Sequence, residues 1–140
     1  MGFLLTIWLF VPQNIRLYAY KLLVRMGLRL YGPTTSPSCF RLPFDLYAKA
    51  GRAVDVHEAN ALRFISQRVR GPVPSLVDVV PNPQYPGRVF MVMTRLPGDP
   101  LEGRLWDMSP KQRSLLASEL KQLFDTMRSI PSDGSEDLRS

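Results

Sequence analysis

Apolar and polar positions change rhythm several times along the chain, and each change marks an element. In NIRLYAYKLLVRMGLRLY the apolar residues recur every three or four positions among Arg16, Lys21, Arg25 and Arg29. That spacing predicts a helix that packs through Ile15, Leu22, Met26 and Leu30 and turns its basic residues to water. GPTTSP, residues 32–37, has the composition of a turn. It closes a leader of residues 1–37 and puts the start of the main domain at residue 38. FRLPFDLYAKAG then reads as strand, turn, strand: Pro43 breaks the run, Gly51 ends it, and Lys49 falls near the end of the second strand.

From Asp55 the period becomes helical, with Ala59, Leu62, Ile65 and Val69 on one face before Gly71 and Pro72 stop it. SLVDVV and RVFMVMT predict two antiparallel strands joined by PNPQYPG, a connection too long for a two-residue hairpin turn. After the turn RLPGDPL, Ser109 is placed to cap a helix with Pro110 at its first position and Gln112 as capping-box partner. Leu116, Leu120, Leu123, Phe124 and Met127 form its stripe, and Trp106 is read with them as packing. The order helix, strands, helix, strands, helix predicts an α+β fold, a small antiparallel sheet with helices packed on it. The main domain spans residues 38–131, and SDGSEDLRS, within 132–140, is expected to fray.

Composition and charge narrow the function. The chain has 140 residues, the size of one domain, and is 45% hydrophobic and 21% charged, as a globular protein is. Residues 1–70 carry ten Lys/Arg against three Asp/Glu, a balance of +7; residues 71–140 carry eight against nine, or −1. Such asymmetry suits an anionic membrane or a phosphate-bearing ligand. Without a zinc pattern or an RNP-like aromatic run, nucleic acid is not expected as a partner. One cysteine, Cys39, and one histidine, His57, leave no internal disulfide and no Cys/His metal cluster. The reducing cytoplasm is the expected compartment.

MGFLLTIWLFVP is too short to cross a bilayer, which takes about 20 apolar residues, and has no preceding cation as a secretory signal would. MGFLLT fits the loose myristoylation pattern M-G-x-x-x-[ST]. Lipidation together with the basic leader would make a two-signal anchor and give peripheral membrane contact. The chain would then be a non-enzymatic interaction module held at a membrane surface by its N-terminus.

RLPFDLYAKAG, HEANALRFI, GPVPSLVDVV and VFMVMTRLPGDPLEGRLW, in that order, resemble the N-terminal lobe of the aminoglycoside phosphotransferase-like proteins, especially their fungal branch. These are relatives of choline kinase and the protein kinases. The resemblance runs from about Arg41 to Pro131, and the leader resembles the segment preceding the lobe in that branch. It implies a protein-kinase-like N-lobe preceded by an N-terminal helix. Lys49 would contact the α- and β-phosphates of ATP, with Glu58 orienting its ammonium. Met93, Thr94, Arg95 and Leu96 would form the hinge where backbone groups meet the adenine edge. Thr94 departs from the acidic residue that the family pattern places there, and the segment that would cover the phosphates, Pro37–Asp45, has no glycine.

Structural uses compete for the same residues. Asp55-x-x-Glu58 is equally a capping box at a helix start, and a lone lysine at a strand end is usually solvated. His57, on the first helical turn, is expected to be exposed.

In the family the acceptor-orienting aspartate and the magnesium ligands come from the larger lobe, in an H-x-D…N loop and a later aspartate. Neither is present in this sequence, whose only histidine is His57. The resemblance therefore implies a truncated, catalytically inactive lobe with no catalytic residues of its own, from a shortened protein or an incomplete gene model. ATP would be a weakly bound ligand, and magnesium would enter only with a C-terminal lobe. The uncovered lobe face would call for a protein partner. Completed, the unit would be an ATP-dependent phosphotransferase acting on a small-molecule hydroxyl.

Overall fold

The structure, a computed structural model, describes residues 2–131, with side chains from Thr6 onward. It is α+β: helices α1 (Gly2–Phe10) and α2 (Gln13–Tyr31), strands β1 (Cys39–Leu42) and β2 (Leu46–Ala50), helix α3 (Val56–Arg68), strands β3 (Leu76–Pro81) and β4 (Val89–Thr94), a 3₁₀ turn (Leu101–Gly103) and helix α4 (Pro110–Arg128). The four strands form one antiparallel sheet in the order β1-β2-β4-β3. The expected tail lies outside the described residues.

Alternation along the strands gives the sheet two apolar faces, each covered by a helix. Phe40, Leu42, Ala48, Val80, Phe90 and Val92 meet Leu17, Tyr20, Leu23 and Val24 of α2. On the other face Leu76, Val79, Met91 and Met93 meet Ala59 and Leu62 of α3, with Val54 closing the corner. The face of α3 is the one its spacing predicts. The first strand pair turns through Pro43, Phe44 and Asp45, the last two with positive φ of 64° and 53°. Two non-glycine residues held left-handed cost about 1–2 kcal/mol each.

The leader differs from its sequence reading. Ile15, Leu22, Met26 and Leu30 point to solvent, whereas Arg16, Leu17, Tyr20 and Gly27 are buried. The packing face lies roughly a third of a turn round the helix from the one expected, because the sheet offers an acid, Asp78, for which a cationic residue makes a better partner than a leucine. Nor is α2 separate from the main domain that begins at residue 38, since it shares a core with β1–β4. At Gly27 the helix lies against the edge strand so closely that a Cβ would sit 1.9 Å from the Arg41 carbonyl oxygen. Only glycine allows that approach.

The start of α4 is as its sequence predicts: the Ser109 hydroxyl accepts from the Gln112 N–H at 3.2 Å, and the Gln112 side chain accepts from the Ser109 N–H at 2.8 Å. Its stripe is not buried. Leu120 and Phe124 are exposed, Leu116, Leu123 and Met127 are only half-buried, and Trp106 is 81% exposed. The packing expected of these residues is therefore only partial: none of them is buried, and Leu123 lies beside Gly71.

Candidate functional site

Lys49 and Glu58 come together on the α3 face. Lys49 is the penultimate residue of β2, paired with Cys39 on one side and Met91 on the other, so its side chain leaves the sheet on the face opposite Ala48. Asp55 caps α3, its carboxylate accepting from the N–H groups of His57 at 2.9 Å and Glu58 at 3.1 Å. That cap fixes the first helical turn and aims Glu58 back at the sheet. The Glu58 carboxylate accepts from the Lys49 ammonium rather than closing a capping box. Asp55 thus serves the cap and Glu58 is left for the lysine. A carboxylate at the N-terminus of a helix is also favoured by the helix dipole.

The pair borders a cleft of about 370 Å³ whose walls include Cys39, Tyr47, Leu62, Met91 and Met93. The side chains of Lys49 and Glu58 are 32% and 38% exposed. An ammonium so placed is oriented by one carboxylate yet keeps donors free for an anion entering from solvent.

Of the four residues expected at a hinge, only Met93 lines this cleft. Thr94 and Arg95 are tied elsewhere. The Thr94 N–H donates to the Ser75 carbonyl at 2.9 Å, and its hydroxyl accepts from the Ser75 N–H at 2.8 Å. The Arg95 N–H donates to the Asp45 carbonyl at 2.7 Å, and its guanidinium lies 3.6 Å from the Asp45 carboxylate. Leu96 follows β4 and is partly exposed. Two acids of the C-terminal part are paired locally, Asp99 with Arg104 at 2.5 Å and Asp125 with Lys121 at 2.8 Å. Among the described residues no group of three His, Cys, Asp or Glu could hold a metal ion. His57 is exposed, as its position predicts.

The opposite face holds a polar cluster that sequence reasoning missed. Arg16 of α2 pairs with Asp78 of β3, and the two side chains are 8% and 3% exposed. The Tyr20 hydroxyl donates to Asp78 at 2.6 Å and accepts from the Trp8 indole N–H at 2.6 Å. Burial, and then its hydrogen bond to Asp78, push the Tyr20 phenol well above its ordinary pKa of 10.0. A β-bulge brings Asp78 there. Leu76 pairs with Met93, but Asp78 pairs with Val92, so the register slips by one residue between them. Without that slip Asp78 would lie opposite Met91 on the α3 face. An acid inside an apolar strand was the available signal, because a buried carboxylate needs a partner.

Compared with known proteins, the chain matches no family model, no curated protein and no solved structure.

Proposed function

We propose that this chain is a nucleotide-contacting lobe of aminoglycoside phosphotransferase-like type, in which Lys49, oriented by Glu58, contacts the phosphates of ATP. The observation that supports this reading is the use of Glu58: its carboxylate meets the strand lysine instead of the helix backbone. A salt bridge as exposed as this one adds little to stability, about 0–1 kcal/mol. Such a pair is cheap to reorganise, so the ammonium can exchange part of its contact with the carboxylate for a phosphate. The half-buried apolar walls at Leu62 and Met93 give the base a surface to lie on.

Binding is weak in this reading, because a single lobe covers the nucleotide on one side. No phosphoryl transfer is expected from these residues alone, since none takes the part of the acceptor-orienting aspartate or of the magnesium ligands. With a second lobe supplying both, the reaction would be ATP-dependent phosphorylation of a small-molecule hydroxyl. Titration with ATP, followed by thermal shift and by ¹H–¹⁵N NMR, tests the reading. The expected result is a saturable response at millimolar nucleotide that Lys49→Ala removes while the protein stays folded. The same response in Lys49→Ala, or none in the parent, would sink it.

A further inference from the structure

The outer face of α2 carries an unusual pairing of properties. Ile15, Tyr18, Leu22 and Met26 follow one another at three- or four-residue steps, so they share one side of the helix. They are between 40% and 65% exposed. Ile7, Leu9 and Phe10 of α1 are exposed as well, and the Trp8 to Tyr20 hydrogen bond holds α1 to α2.

Cations border this apolar stripe and lack acidic partners. No Asp or Glu occurs before Asp45. Lys21, Arg25 and Arg29 are exposed, and the described ion pairs include none of them. Along one flank α2 borders a cleft of about 580 Å³, into which Lys21, Arg25 and Arg52 all face and which no acid lines. Ser38 and Gln84 add polar groups to its wall, and Arg52 lies over the Tyr85 ring at 5.7 Å.

We propose that this face docks on an anionic bilayer surface, with the stripe of α2 seated among the upper acyl chains and lipid phosphates held by Lys21, Arg25, Arg29 and the Arg52 cleft. Apolar area alone would suit a protein partner equally. Cations with no acid among them, set beside an uncovered apolar stripe, suit a negatively charged leaflet. No described helix is long and apolar enough to cross a membrane, so the contact is peripheral. It needs no lipid modification, and it is independent of the nucleotide reading, whose residues lie on the opposite face of the sheet.

Sedimentation of the full chain with vesicles tests this. Binding is expected to phosphatidylcholine vesicles containing phosphatidylserine, not to phosphatidylcholine alone, and to weaken with added salt. Arg25→Glu/Arg29→Glu should lower partitioning by about tenfold or more. Leu22→Asp/Met26→Asp should lower it too, and both variants should keep the parent's circular dichroism and melting because the changed residues are exposed. Three results would overturn the proposal. One is equal binding to neutral and anionic vesicles. Another is full competition by soluble glycerophosphoserine, which would mark a free-phosphate site. The third is a concentration-dependent dimer that Leu22→Asp/Met26→Asp dissolves, which would assign the face to a second copy of the chain.

Discussion

On each face of the sheet a strand residue forms an ion pair with a residue of the covering helix, and the two pairs differ in what surrounds the charges. Lys49 and Glu58 lie on the α3 face with about a third of each side chain in water, whereas Arg16 and Asp78 lie on the α2 face almost fully enclosed. Water screens the first pair and can replace either partner, so its contribution to stability is small and its charges remain available to a ligand. The second pair is desolvated, and its members must satisfy each other. Tyr20, Trp8 and the Val79 N–H, which donates to Asp78 at 2.8 Å, add to the arrangement, while the Arg16 Nε is buried without a hydrogen-bond partner. Burial makes one pair a structural clamp, and partial exposure leaves the other open to solvent.

The largest expected effect is at Asp78. Asp78→Ala strands the Arg16 guanidinium in the core and should cost about 3–5 kcal/mol in urea unfolding. Arg16→Met/Asp78→Leu should recover most of that loss, because the penalty lies in the unpaired charge rather than in a missing attraction. If Asp78→Ala costs no more than Glu58→Ala, the contrast between the faces fails.

Gly27→Ala comes next. The added methyl group meets backbone, not a flexible side chain, so α2 must move off β1. A loss of about 1–3 kcal/mol is expected from that overpacking. An unchanged melting temperature would show that α2 is not seated on the edge strand.

Tyr20→Phe removes the donor to Asp78 and the acceptor for Trp8, at a cost of about 1–3 kcal/mol. It also has a pH signature. The folded protein holds the phenol's proton more tightly than the unfolded chain does. Above pH 10.0 the unfolded chain releases that proton first, so this contribution to stability is intact below pH 10.0 and is lost as pH rises beyond it. Urea unfolding of parent and Tyr20→Phe across the alkaline range should show a steeper decline in the parent. Parallel curves would mean that Tyr20 is no better protected than an exposed tyrosine.

The smallest effect on stability is expected from Glu58→Gln and Lys49→Ala, about 1 kcal/mol or less by thermal denaturation. Their consequence should appear instead in the ATP response. A loss of several kcal/mol would make the pair structural and weaken the case for a ligand-facing lysine.

Much of the fold was legible in the sequence. The strands around Pro43, the two strands joined by PNPQYPG, the apolar face of α3 and the capping box at Ser109 all come from local period and turn chemistry. Lys49 and Glu58 could also be singled out, because each falls at a definite point of a predicted strand or helix. The packing face of α2 could not be read in the same way. Its apolar residues surround the helix almost completely, so the period does not choose between Leu17 and Leu22. Gly27 within a helix was the overlooked sign of close approach.

By itself the sequence determined most of the elements, because hydrophobic period, prolines, glycines and capping side chains act within a few residues of one another; helix α1 and the 3₁₀ turn were not among those it predicted. It also determined the uneven charge and the absence of an H-x-D…N loop from these 140 residues. Tertiary structure decided which side of α2 meets the sheet, that Glu58 reaches Lys49, and that a one-residue bulge turns Asp78 toward Arg16 and Tyr20. Those choices depend on desolvation and on partners 9 to 62 residues apart. A buried charge is stable only where a distant segment supplies its counterpart, and no local pattern records that meeting.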